Sequence, residues 1–271
     1  LIEKYFFGVG DYTLIGFRKD DSGEADDLYV QSQNSGTATA LQTNAKFRDP
    51  HAWYHIFAVF DSTQGTASNR LKVYVNGNEV GSEYGGFSVD QTGSITQNEH
   101  DLEVGDSGTR ISIGYSPNGT SSFFDGYMAE THLLIGTTKA QTDFAETNDN
   151  GVWVPKETSF ATSDYGSNGF KLEYKQTGTS ADASGKGADT SGQANHFDDN
   201  NIGTEHITTD IPTNNFATVA ITASNASNYS EGNTRTIGDT GTGNSLGGLS
   251  SFGFKAGKWY CEYKIEDVGD N

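Results

Sequence analysis

An all-β fold is what this sequence predicts, and three observations carry the prediction. In 271 residues there are 34 glycines, four prolines and one methionine, a composition of strands joined by many turns. From Trp53 to Phe60 nearly every side chain is aromatic or β-branched, as in a strand buried on both faces. Residues 70–75 then alternate, with Leu71, Val73 and Val75 on one face and Arg70, Lys72 and Tyr74 on the half-exposed other. They run into Asn76-Gly77, two residues that both tolerate the positive φ of a type I′ hairpin turn.

The remaining elements follow in order. Residues 5–17 alternate large apolar side chains with glycine, which fits one or two early strands. Asp20 to Asp27 is an acidic turn, and Leu28–Val30 opens a short strand. Residues 81–109 are glycine-rich and acidic, and residues 110–115 form a short alternating strand. Residues 123–136 turn hydrophobic again, and Phe170, Leu172 and Tyr174 share one face of a further strand. Residues 217–256 are small and polar. Residues 257–271 restore alternation, with Trp259, Cys261, Tyr263 and Ile265 opposite Tyr260, Glu262 and Lys264.

Composition also excludes. A formal charge of −19 argues against binding a nucleic-acid backbone. A single cysteine, Cys261, forms no disulfide within the chain. No stretch approaches the roughly 18 apolar residues of a membrane-spanning helix. Leu1-Ile2 is not an initiator and the only methionine is Met128, so the chain reads as an interior piece of a longer protein.

At residues 53–61 and 71–80, WYHIFAVFD and LKVYVNGNEV, the chain resembles laminin-G-like members of the concanavalin A-like jelly rolls. The fuller string from Phe47 to Gly77 resembles structural proteins of tailed bacteriophages that carry a lectin-like domain. A second stretch, FAETNDNGVWVPK at residues 144–156, is similar to a recurrent segment of those phage proteins. Residues 182–189 and 189–195 resemble an Asp-x-Ser-Gly turn of the same superfamily, present twice. Residues 210–216 resemble the phage junction into a next module, and GKWYCEYK at 257–264 resembles the strand that opens a SPRY-like sandwich. The resemblance implies an all-β architecture in three parts. These are a concanavalin A-like jelly roll over residues 1–157, a linking region with a short strand over 158–211, and the start of a second, SPRY-like β-sandwich over 212–271. It implies a virion protein of a tail fibre or surface appendage, partnered by other tail subunits, forming a homo-oligomer by analogy a trimer, and attaching to host-surface glycans. The alternatives are a purely architectural virion module and, third, a carbohydrate depolymerase.

For the enzyme, a retaining glycosidase needs two carboxylates about 5–5.5 Å apart. Glu262, Glu266 and Asp267, or Glu103 with Asp106, do not reproduce the Glu-x-Asp-x-x-Glu pattern on an apolar strand, so no catalysis is expected. His55 and His132 are read as structural histidines rather than metal ligands. Calcium is the one expected cofactor, because such domains bind it at a rim through Asp and carbonyl oxygens. The candidates are Asp20 and Asp26, Asp101 and Asp106, and Asp182 and Asp189; against them, 36 acidic residues form such clusters by chance.

Overall fold

The computed structural model describes residues 3–9, 13–18, 26–34, 37–49, 52–81, 84–98, 109–115, 123–203, 206–220, 229–230, 234–236, 249–251, 253 and 255–265. The architecture is all-β and antiparallel. One sheet has six strands: β1 (Glu3–Val9), β2 (Thr13–Arg18), β3 (Asp27–Asn34), β4 (Thr37–Lys46), β8 (Phe87–Asp90) and β9 (Ile111–Ile113), in the order β8-β4-β3-β2-β1-β9. A second has β5 (Ile56–Phe60), β6 (Leu71–Val75) and β7 (Asn78–Glu79) in sequence order. Among the described residues no helix is long and apolar enough to cross a membrane.

The two sheets face each other across one apolar core. Leu28, Val30 and Leu41 of the large sheet meet Leu71, Val73 and Val75 of β6, closed by Val80 and Ile95. Burial in β6 follows the predicted alternation, and the Asn76-Gly77 turn has φ of 49° and 81°, both in the left-handed region. The residue just before β6 departs from it. Arg70 is buried, because its guanidinium donates to the Gln64, Ile95 and Gly65 carbonyls at 2.8, 2.6 and 3.1 Å. A guanidinium so satisfied tolerates burial that a solvent-facing arginine would resist.

The strand expected over Trp53 to Phe60 is shorter than its apolar run. Residues 53–55 precede β5, and every residue of β5 is half-buried rather than enclosed on both faces. The run stops being a strand where Asn76 takes over: its Oδ1 accepts the His55 N–H at 2.8 Å, while its own N–H donates to the His55 carbonyl at 2.9 Å.

Strands β10 (Thr131–Leu133) and β13 (Phe170–Leu172) pair with each other, so the expected closing segment joins the region that follows the jelly roll. β11 (Ala145–Thr147) and β12 (Trp153–Pro155) form a hairpin whose loop is held by Asn148. Its Oδ1 accepts the N–H of Asn150 and of Val152, each at 3.0 Å. β13 falls between 158 and 211, with Phe170 and Leu172 fully buried, but it is shorter than expected: it ends at Leu172, and Tyr174, with φ of 54°, lies outside it.

Of the alternating stretch expected over 257–271, residues 266–271 lie outside the described residues, and 257–265 form no strand. Residues 255–265 are irregular, with Trp259, Tyr260, Tyr263 and Ile265 all at least 63% exposed. Alternation makes a strand only where a neighbour takes up its backbone groups, and among the described residues none pairs here.

Candidate ligand cleft beside the capped hairpin

Among the described residues β5 pairs only with β6, and a cleft of about 630 Å3 opens along its other side. Its walls come from β2 and β3 of the large sheet (Thr13, Ile15, Phe17, Val30 and Ser32), from residues before and within β5, from residues 124–134, and from Trp153. Trp53, His55, Tyr127, Glu130, His132 and Trp153 supply its aromatic and polar character.

Trp153 arrives on the first residue of β12 and lies over the tip of the β6–β7 hairpin. A side chain on Gly77 would put its Cβ 2.8 Å from the indole ring, so glycine is required there by contact as well as by φ. The indole N–H donates to Nδ1 of His55 at 3.0 Å. In the neutral ring His55 therefore carries its proton on Nε2. Burial, followed by the nearby charge of His132, pushes the pKa of His55 down from 6.5 to about 4.

Behind the cleft runs an aromatic layer that single residues did not reveal. Phe57 packs on Tyr74 and on Phe144, with ring centroids 5.7 and 5.5 Å apart. Phe144 meets Phe160 edge-on at 5.1 Å. His132 sits in this layer as the sequence suggested, edge-on to Phe144 and stacked on Tyr165. Its Nε2 lies 3.4 Å from Glu130 and its Nδ1 3.3 Å from the Tyr165 hydroxyl, a set one neutral tautomer satisfies. The hydrogen bond from His132 holds the Glu130 carboxyl below the usual range, against the effect of its burial. Burial and surrounding carboxylates push Tyr165 up to about 12. Glu130 has φ of 50°, a conformation that non-glycine residues adopt at a cost and that recurs at functional sites.

The calcium candidates are scattered. Asp20, Asp101 and Asp106 lie outside the described residues. Asp26 sits at the cleft edge with its carboxylate 3.8 Å from Arg48 Nε. Asp182 accepts the Ser184 N–H and hydroxyl at 2.7 and 2.6 Å. Asp189 makes the same turn with Ser191 and accepts two further N–H groups, from Lys171 and Asn195. The repeated motif is thus one local structure built twice, exposed at Asp182 and buried at Asp189. Among the described residues no group of three or more His, Cys, Asp or Glu is placed to hold a metal ion.

Two facing antiparallel sheets and a type I′ hairpin on the smaller one define a jelly-roll β-sandwich. The family described as the concanavalin A-like lectin/glucanases superfamily matches residues 3–141, and the chain belongs to it. No curated protein and no solved structure matches the chain.

Proposed function

We propose that this chain is a non-enzymatic component of a bacteriophage tail appendage, and that its jelly roll attaches the virion to host-surface glycans. The cleft carries the reading. It combines aromatic faces for the apolar side of a sugar ring with a few polar groups for its hydroxyls, the usual make-up of a ligand site. It is also built where the two stretches that resemble phage proteins meet, at Trp153, His55 and Gly77.

The absence of turnover is part of the proposal. A glycosidase acid needs a raised pKa to be protonated at work, whereas Glu130, the carboxylate most enclosed by the cleft, is shifted the other way. The test is retention of the full chain on immobilised host-surface polysaccharide. Tyr127→Ala, at a position 46% exposed on the cleft wall, should reduce it in a chain that circular dichroism shows to be folded. No retention by the native chain, or release of reducing ends, overturns the reading.

An architectural role is favoured by a different observation, the exposed Trp259, Tyr260, Tyr263 and Ile265, an apolar set suited to a subunit contact. Both readings include a trimer, which mass measurement of the full-length protein at micromolar concentration would test; a monomer removes it. They also include a SPRY-like module beginning near 212. Calcium at Asp20, Asp101 and Asp106 belongs to the same proposal, and a melting temperature unmoved by chelator would remove it.

A further inference from the structure

A second pocket, of about 410 Å3, opens between the outer edge of the large sheet at Thr109 and Ile111 and residues 168 and 195–198. It shares no lining residue with the cleft. Its polar groups are fixed from behind by Asp189, which is 6% exposed and accepts four donors at 2.8–2.9 Å. Burial would raise the pKa of this carboxyl, but the N–H groups of Lys171, Ser191 and Asn195 hold it below the usual range.

The bracing dictates what the pocket offers. The N–H of Asp189 donates to Nδ1 of His196 at 3.0 Å, so in the neutral ring the opposite nitrogen, Nε2, is a donor. Asn195 gives its amide hydrogens to the Ser167 and Gly169 carbonyls, each at 2.9 Å, which leaves its Oδ1 as an acceptor. Phe197 is locked edge-on against the fully buried Phe170 at 4.8 Å. Asp198 adds an exposed carboxylate. A donor, an acceptor and a carboxylate stand beside an aromatic ring, and because His196, Asn195 and Phe197 are already braced, ordering those three on binding costs little.

We propose that this pocket is a second ligand site, for the vicinal hydroxyls of a neutral hexose. A hydroxyl both donates and accepts, so one pair can satisfy a carboxylate and the His196 N–H together. The Phe197 ring suits the C–H face of the same sugar. Asp198, and Asp182 within electrostatic reach of His196, repel anionic sugars, as does the net charge of −19. The volume lies within the range of small-molecule sites. With the cleft, it would give each chain two points of attachment and raise avidity without either being tight.

The experiment is a heteronuclear NMR titration of the full chain with glucose, galactose, mannose and N-acetylglucosamine at tens of millimolar. At least one should move the Asn195–Asp198 amides saturably. Asp198→Ala should weaken that response about tenfold, the loss of one charge-assisted hydrogen bond, with the melting temperature unchanged. Glucuronate should bind at least as much weaker. Unmoved Asn195–Asp198 amides in a folded chain overturn the site, as does equal binding of glucuronate and glucose. Shifts confined to Trp153 and His55 would support the cleft and overturn this pocket, so the two proposals fail separately.

Discussion

The indole N–H of Trp153 donates to Nδ1 of His55 at 3.0 Å across 98 residues of chain, and this bond exists only while His55 is neutral. Its pKa of about 4 in the folded chain, against 6.5 ordinarily, means that the unfolded chain binds the proton first as pH falls. The stability this group contributes is complete above pH 6.5 and is lost as pH falls toward 4. The loss amounts to about 3 kcal/mol at the acid end. Denaturant unfolding between those limits should show it, and His55→Gln should flatten the slope there. An equally steep slope in the variant would refute the assignment.

Gly77→Ala should destabilise by about 2 kcal/mol or more, from a left-handed φ of 81° and a new Cβ against the Trp153 ring. Combined with Trp153→Ala, which vacates the space, the cost should fall short of the sum by about 1 kcal/mol. Strict additivity of the two would mean that the ring does not rest on the turn.

Arg70→Lys retains charge but loses the planar fork that reaches three carbonyls in different directions. A loss of about 2–3 kcal/mol is expected in urea unfolding. Unchanged stability would mean that the ammonium finds the same carbonyls.

Asp189→Asn should cost about 3 kcal/mol, because an amide places donors where the turn already supplies them. Amide hydrogen exchange should accelerate at Lys171 and Asn195 before it does in β6. Uniform acceleration across the chain would show that Asp189 does not hold this turn in particular.

Much of the sandwich was legible. The alternation of β6 and the Asn76-Gly77 turn give register directly, because side-chain period and φ are local properties. β4 gave little apolar signal beyond Leu41. Its core-facing Thr39 and Thr43 are buried through hydroxyl bonds, Thr39 to Ser94 at 2.7 Å and Thr43 accepting the Leu28 N–H at 3.1 Å. The run from Trp53 overstated β5, since an aromatic outside a strand reads like one within it. At 257–265 the sequence alternates, yet among the described residues no strand forms there and none pairs with it. Of the cleft, His55 and Trp153 each stood in a recognisable stretch, but their contact depends on how two distant hairpins dock. Arg70 was assigned to solvent because strand period says nothing of carbonyls waiting at the strand's end.

The ladder between β10 and β13 sets the limits of what can be moved as one piece. The family match ends at residue 141, yet Thr131, His132 and Leu133 pair with Leu172, Lys171 and Phe170. A graft of the jelly roll onto another protein, cut at the family's boundary, would strip β10 of its partner and remove Trp153 from the hairpin it covers. The stretch that matches the family and the stretch tied together by strand pairing thus differ in extent. A transplant that keeps its shape has to carry residues through at least Phe197, whose ring closes over Phe170.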